Sequence, residues 1–115
     1  MKEITAIIRP NLWQKTKAKL LEAGFTAFTV NRVYGRGRQK GLRYLSNSKA
    51  IVEGIGFLPK RMLTLFVPET EVPRAVQVIT ECNQTGEIGD GKIFVCPLEN
   101  VSRVRTGESG EGVLV

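Results

Sequence analysis

The apolar residues of this chain repeat the order strand, helix, strand twice, and this order constrains the fold more than any other feature. Alternating β-rich segments predict strands, whereas apolar residues at three- and four-residue spacing predict helices. The predicted strands are residues 2–8, 25–34, 61–67 and 91–97, the predicted helices are 12–23 and 70–83, and a short further strand is predicted over 101–105. Two successive βαβ units predict an α+β, ferredoxin-like fold with both helices on one face of a four-stranded sheet. The other face is apolar enough that we expect another copy of the chain to cover it.

Polar residues and glycines mark the ends of the predicted helices. Asn11 and Thr70 stand where an N-cap is expected, and Gly24 lies just past the end of the first helix. Pro73 falls in the first turn of the second helix, where proline is tolerated.

Length and composition favour one globular domain over residues 1–115, with 42% hydrophobic residues. No stretch is long and apolar enough for a signal sequence or a membrane span. Cys82 and Cys96 are expected to be reduced thiols in the core, which is typical of a cytoplasmic protein. The chain has no histidine, and no nucleophile–base pair is visible, so an enzymatic function is disfavoured.

The positive charge of the chain is concentrated in one segment. Residues 35–61 hold seven of the 17 basic residues and a single acidic residue, Glu53, so this segment accounts for the whole net charge of +6. Its partner should therefore be anionic, whether a small ligand, a nucleic acid or an acidic protein surface.

A glycine-rich stretch over residues 85–95 leads into the last predicted long strand. Gly86, Gly89 and Gly91 allow backbone angles that let amide groups approach a bound anion, and Lys92 adds a positive charge. The stretch is not a P-loop, because Ile93 stands where a P-loop has Ser or Thr and because the turn leads from a helix into a strand. A glycine-rich turn without a ligand is the alternative.

The connection between the second and third predicted strands is unusually long, at about 26 residues over 35–60. Connections beyond ~12–15 residues in a compact domain are usually functional or disordered. The connection starts with a second cationic glycine turn, over 35–41, which is not a dinucleotide fingerprint since no helix follows. A mobile surface insertion is the alternative to a functional loop.

Four separated motifs resemble the nitrogen-regulatory PII signal-transduction proteins. They are Gly37-Arg38-Gln39-Lys40-Gly41, Phe57-Leu58-Pro59-Lys60, the stretch from Thr85 to Val95, and Arg103-x-Arg105-Thr106-Gly107. The resemblance runs from Met1 to about Gly107 with a two-residue insertion in the long loop. It implies a ferredoxin-like unit that assembles as a trimer with its sheets facing inward. It also implies a flexible T-loop over about 36–59 and a mobile C-terminal tail over about 107–115.

The resemblance further implies that ATP or ADP binds between neighbouring subunits and that 2-oxoglutarate joins Mg-ATP there. The nucleotide-binding residues that it implies are Ile7, Thr29, Gly35, Gly37, Arg38, Gln39, Phe66, Gly89, Asp90, Gly91, Lys92, Arg103 and Arg105. Those implied for 2-oxoglutarate are Gln39, Lys40, Gly41 and Lys60, and Gln39 would also ligate Mg²⁺. Arg103 and Arg105 would converge on one ligand, because alternate positions of a strand point the same way. Asp90 is expected to orient the glycine turn.

The loop sequence bears on the partner. Many PII proteins carry a modifiable tyrosine in the T-loop, and this chain has no equivalent because Tyr44 sits too early. The loop and Lys60-Arg61-Met62-Leu63 are similar to the branch encoded beside nitrogenase, whose members act on dinitrogenase, often with a second PII-like subunit. The resemblance thus implies a cytoplasmic, non-enzymatic regulator of nitrogen fixation, in which slow incidental ATP hydrolysis could occur. The alternative is a PII-type regulator of an ammonium transporter or a nitrogen-assimilation enzyme, associated with the membrane through that partner.

A competing prediction from the same fold is an RRM-like RNA-binding module, for which the basic charge would also suit. Such a sheet needs aromatic residues on which bases stack. The first predicted strand has none and the fourth has only Phe94, so nucleic acid is not the expected partner.

Overall fold

The computed structural model describes residues 1–37 and 56–114. The described elements are β1 (Lys2–Ile8), α1 (Trp13–Glu22), β2 (Thr29–Gly35), β3 (Leu58–Val67), α2 (Val72–Asn83) and β4 (Lys92–Pro97). Short 3-10 turns lie at Pro10–Leu12, Glu69–Glu71 and Glu111–Leu114. The two rounds of strand, helix and strand predicted from the sequence are thus confirmed.

The four strands form one antiparallel sheet in the order β2-β3-β1-β4. The two central strands, β1 and β3, each have a strand on both sides, and Ile7 lies opposite both Met62 of β3 and Lys92 of β4. This strand order, with the helices following β1 and β3, is the ferredoxin-like arrangement, which confirms the predicted fold class.

One face of the sheet carries the core. Ile4 and Ala6 of β1 and Leu63 and Leu65 of β3 are almost fully buried, and they pack with residues of α1 and α2. Because side chains alternate along a strand, the residues between them point to the opposite face. That open face includes Ile7, Met62 and Phe94, of which Phe94 is 49% exposed. Each fully buried aliphatic side chain stabilises the fold by about 1.5–3 kcal/mol.

Two hydrogen bonds made by buried side chains connect the two helices and the turn before α1. Asn83 Nδ2 of α2 donates to Thr16 Oγ1 of α1 at 3.0 Å, and Thr16 Oγ1 donates to Leu12 O at 2.7 Å. Both polar side chains are buried. These hydrogen bonds fix the position of one helix against the other, because a shift would break them inside the core, where Asn83 Oδ1 already has no partner among the described residues.

The ends of the elements correct several predictions. Asn11 is not an N-cap, since it lies inside the 3-10 turn that starts at Pro10, and α1 begins after Leu12. Thr70 likewise lies inside a 3-10 turn and makes no cap for α2. A proline suits the first position of such a turn because its φ is already fixed near the helical value. β2 starts four residues later than predicted, and β3 starts three residues earlier.

The predicted short strand over 101–105 is wrong. Arg103 N donates to Glu108 O and Gly107 N donates to Arg103 O, both at 2.7 Å, so the chain reverses here. Gly107 allows the reversal with a φ of +74°, and Ser102 forms an isolated bridge with Ser109. The β-branched residues of this segment predicted a strand, but local hydrogen bonds satisfy the backbone instead.

The two cysteines differ in environment. Cys82 is buried in α2, as predicted, but Cys96 of β4 is exposed, so the prediction of a core position for Cys96 is wrong. Both are free thiols. Within the described part of the chain, no helix has the length and hydropathy required to cross a bilayer.

Candidate functional site

A groove of about 950 Å³ lies on the open face of the sheet, at the edge where β2 ends and β3 begins. Its walls are residues 33–37 and the turn of residues 86–91, and its floor includes Ile7, Met62 and Phe94. The volume is within the usual range of small-molecule sites, about 300–1,000 Å³. The fold therefore forms a ligand-sized groove beside the glycine-rich turn.

The carboxylate of Asp90 organises that turn from inside. Asp90 Oδ2 accepts hydrogen bonds from the backbone amides of Thr85 at 2.8 Å and Gly86 at 2.9 Å. Asp90 Oδ1 accepts one from the hydroxyl of Thr85. These hydrogen bonds, that of the Thr85 hydroxyl first, hold the pKa of Asp90 well below its usual value. Asp90 therefore orients the glycine turn, as expected from the sequence, with a carboxylate that is ionised at neutral pH.

Arg9 connects the end of β1 to the same turn. Its Nη1 donates to Asp90 Oδ1 at 2.5 Å and to Thr85 Oγ1 at 3.1 Å, and its Nη2 donates to Ile88 O at 3.0 Å. Arg9 was not predicted from the sequence. The available signal is the strand register: Ile7 lies opposite Lys92, so an antiparallel continuation places Arg9 opposite Asp90.

Gly91 is where the turn comes closest to the sheet. Its φ is +106°, and a Cβ at this position would lie 1.8 Å from Ile7 O. A side chain is therefore excluded by both the backbone angle and the contact. Gly86 and Gly89 also have positive φ values, so the three glycines predicted to shape the turn all adopt angles that favour glycine.

Lys60 of β3 reaches the turn across the floor of the groove. Its Nζ donates to Gly89 O at 3.0 Å, and the residue is only 9% exposed. Burial lowers the pKa of Lys60, and the nearby charge of Arg9 lowers it further, while Asp90 opposes the shift. Gly35 packs beside the lysine stem, since a Cβ there would lie 3.5 Å from Lys60 Cγ.

The structure brings together eight of the residues predicted for the site. Ile7, Gly35, Gly37, Lys60, Gly89, Asp90, Gly91 and Lys92 all line the groove. Arg38, Gln39, Lys40 and Gly41 lie outside the described residues.

Four other predicted residues do not line the groove. By the strand register, Thr29 and Phe66 belong to the open face, with Thr29 opposite Thr64. Arg103 and Arg105 belong to the reversal after β4, so the expectation that strand alternation aligns them does not hold. Arg103 pairs there with Glu108.

The chemistry of the groove suits an anion. Lys60 and Lys92 line it together with the backbone of the glycine turn, and such turns offer amide donors to phosphates and carboxylates. In residues 1–37 and 56–114, no group of three potential metal-binding side chains occurs, and the Asp90 carboxylate is engaged with Arg9 and Thr85.

Comparisons with known proteins identify related chains. The family model described as "Nitrogen regulatory protein P-II" matches residues 1–108. "Nitrogen fixation nifHD region GlnB-like protein 2" of Methanobacterium ivanovii is 48% identical over 100% of both chains. The protein of the same description from Methanococcus maripaludis is 46% identical over 99% of this chain and 100% of its own. The crystal structure of Arabidopsis thaliana PII bound to citrate matches with a TM-score of 0.77 and 37% identity, covering 96% of this chain and 89% of that one.

Proposed function

Because this chain belongs to the nitrogen regulatory protein P-II family, we propose that it senses ATP or ADP together with 2-oxoglutarate and controls a target protein through residues 36–59. The observation that carries the proposal is the convergence of Lys60, Lys92 and the glycine turn on one groove. The groove offers what a nucleotide and a dicarboxylate both need, namely cationic side chains and backbone amides.

The nucleotide would lie with its phosphates toward the glycine turn. Lys92, Arg38 and the amides of Gly89 to Gly91 would meet the phosphates. Ile7, Gly35 and Gly37 of the groove would meet the adenine and ribose. Thr29 and Phe66 of the open face, which do not line the groove of their own chain, would complete this side of the site from a neighbouring subunit.

Arg103 and Arg105 do not line the groove of their own chain. We therefore assign them to the site of a neighbouring subunit, in a trimer whose subunits meet through their open sheet faces. Arginine suits the phosphates of that site, because its planar fork can form paired hydrogen bonds.

Lys60 would pair with the distal carboxylate of 2-oxoglutarate, helped by Gln39, Lys40 and Gly41. The ammonium group of Lys60 already donates a hydrogen bond to Gly89 O. Binding of the dicarboxylate would thus draw on a group that already holds the turn. Mg²⁺, ligated by the phosphates, 2-oxoglutarate and Gln39, would reduce the repulsion between the two anions, so 2-oxoglutarate should bind after Mg-ATP.

The loop would report this occupancy because Gln39 and Lys60 flank it. A ligand shifts a conformational equilibrium only by its difference in affinity for the two states. A change from 1:99 to 99:1 would require about 5.5 kcal/mol of such difference. The two anions, which each depend on residues at the base of the loop, would supply that free energy.

The target that we propose is nitrogenase. Support comes from the names of the relatives above, which place them in the nitrogen fixation nifHD region. A pull-down with purified dinitrogenase, compared with membranes that contain an ammonium transporter, tests this target. Retention on the transporter membranes alone would favour the alternative regulator, and a requirement for a second PII-like chain would indicate a mixed complex.

Calorimetry tests the ligand proposal. Wild type should bind ATP, and it should bind 2-oxoglutarate only when Mg²⁺ and ATP are present. Lys60→Ala should lose 2-oxoglutarate binding by more than tenfold while still binding ATP, and Lys15→Ala, an exposed lysine of α1, should behave as wild type. Binding of 2-oxoglutarate to the nucleotide-free protein would contradict the metal-bridged order.

Light scattering and a titration with ATP test whether neighbouring subunits both contribute to the nucleotide site. The purified protein should be a trimer, and Arg105→Ala should weaken ATP binding without changing the oligomeric state. A monomer that binds ATP with wild-type affinity in the Arg105→Ala variant would exclude a contribution from a neighbouring subunit.

A further inference from the structure

Two arginines lie side by side on the sheet, away from the groove. Arg32 of β2 is directly opposite Arg61 of β3 in the strand register, and neither lines the groove. The pair Val30 and Leu63 precedes them on the same face, and Leu63 is fully buried under the helices. Since side chains alternate along a strand, Arg32 and Arg61 continue the helix-side face. We refer to Arg32 and Arg61 as the arginine pair.

The arginine pair is unfavourable for the isolated fold. Residues directly opposite in an antiparallel pair have Cα atoms about 5 Å apart, and like charges in such positions are destabilising. Arg9, Arg74 and Arg103 each have a carboxylate partner. Within the described ranges, by contrast, no carboxylate forms an ion pair with either member of the arginine pair. The contacts of the described residues therefore do not explain why two arginines stand opposite each other.

The neighbourhood of the arginine pair has the composition of a contact surface. Tyr34, two residues beyond Arg32 on β2, is 73% exposed, and Arg36 after the strand is also exposed. Tyrosine and arginine are the residue types enriched among side chains that dominate binding energy at protein interfaces. The surface lies at the base of the long loop, next to the segment through which we propose that a target is controlled.

We propose that the arginine pair, with Tyr34, is a docking surface for an acidic segment of a partner protein. A guanidinium pairs with a carboxylate through two parallel hydrogen bonds, and an extended segment presents alternate side chains on one face about 6.4–6.8 Å apart. Two carboxylates at that spacing can meet both arginines. The inference rests on the proposed function only in supposing that the chain has a regulated protein partner.

An acidic protein segment explains this surface better than a nucleic acid does. Single-stranded nucleic acid binds through aromatic side chains on which successive bases stack. On the helix side the central strands present Ile4, Ala6 and Leu63, which are buried beneath the helices. Among the described residues, the exposed aromatic rings near the arginine pair are Tyr34 and, just before β3, Phe57. The central strands add none on the helix side, so these two rings are too few for a stacking platform.

Fluorescence anisotropy with a labelled peptide of alternating glutamate and threonine tests the docking surface. At low ionic strength, wild type should bind this peptide, and Arg32→Glu should weaken binding more than tenfold. Arg32→Glu should also form an ion pair with Arg61, so its melting temperature should equal or exceed that of wild type. Lys15→Glu, with the same charge change on α1, should alter peptide binding less than twofold.

Each of the other outcomes would overturn the docking surface. The first is that wild type does not bind the peptide. The second is that Lys15→Glu and Arg32→Glu lose peptide affinity equally, and the third is that wild type binds a labelled oligouridylate more tightly than the peptide. Arg61→Gln provides a second variant, because it removes one charge without introducing another, and it should also weaken binding. Arg32→Glu should keep wild-type ATP affinity in calorimetry. A wild type that binds the peptide but no nucleotide would refute the proposed function and leave the docking surface standing.

Discussion

Replacement of Gly91 by alanine is the most direct perturbation of the candidate site. The new Cβ would lie 1.8 Å from Ile7 O, where real Cβ contacts are at least 3.0 Å, and the φ of +106° is one that residues with side chains rarely adopt. Relief of the contact requires the turn to move away from β1 by more than an ångström. We therefore expect both the fold and the ligand site to be damaged.

The expected cost has two parts. A left-handed backbone angle costs a residue with a side chain about 1–2 kcal/mol. Displacement at Gly91 also disturbs the first pairing of β4 with β1, Lys92 opposite Ile7, and a lost hydrogen bond costs about 1 kcal/mol, more if a buried group is left unsatisfied. The total should be about 2–4 kcal/mol of unfolding free energy.

Gly24→Ala is the matched control. Gly24 has a similar φ of +93°, but a Cβ there would meet nothing within 4 Å, so only the cost of the backbone angle should appear. Urea unfolding at one fixed protein concentration gives both values, since any subunit assembly makes stability depend on concentration. Gly91→Ala should lose at least about 1 kcal/mol more than Gly24→Ala, because only the former adds a steric contact to the angle. Equal losses would show that the close approach to Ile7 is not part of the folded state.

Three further predictions concern the charged groups around the turn. The lowered pKa of Asp90 means that its carboxylate stabilises the fold at pH values above its unfolded-state pKa of about 3.9. This stabilisation is lost as the pH falls below that value. Urea unfolding of Asp90→Asn should therefore depend less on pH in acid, and an unchanged acid dependence would contradict the assignment. The lowered pKa of Lys60 means that the folded chain loses this proton before the unfolded chain does. Stability should thus rise with pH up to about 10.4, and the rise should be absent in Lys60→Met. Arg9→Met should speed hydrogen exchange at the amides of Thr85 and Gly86, whereas unchanged exchange would mean that Asp90 holds the turn without Arg9.

The periodicity of the sequence predicted the order of strands and helices, because apolar side chains must reach one core face. The glycines of residues 86–91 predicted the turn, since positive φ values favour glycine. The pairing of Arg9 with Asp90 could not be predicted, because it depends on the register between strands separated by most of the chain. The reversal around Arg103 could not be predicted for a different reason. It depends on local hydrogen bonds, and these override the β propensity of the surrounding residues.

Lys60 and Arg61 place the ligand groove and the proposed docking surface on opposite faces of the same strand. They are adjacent in β3, and strand alternation directs them to opposite faces of the sheet. Lys60 contacts the glycine turn in the groove, whereas Arg61 faces Arg32 on the helix side. A ligand in the groove therefore makes no contact with the arginine pair, although Tyr34 of the docking surface also belongs to the groove wall. An influence of the ligand on a partner bound there can pass through Tyr34 of β2, through the backbone of β3 or through the loop between β2 and β3.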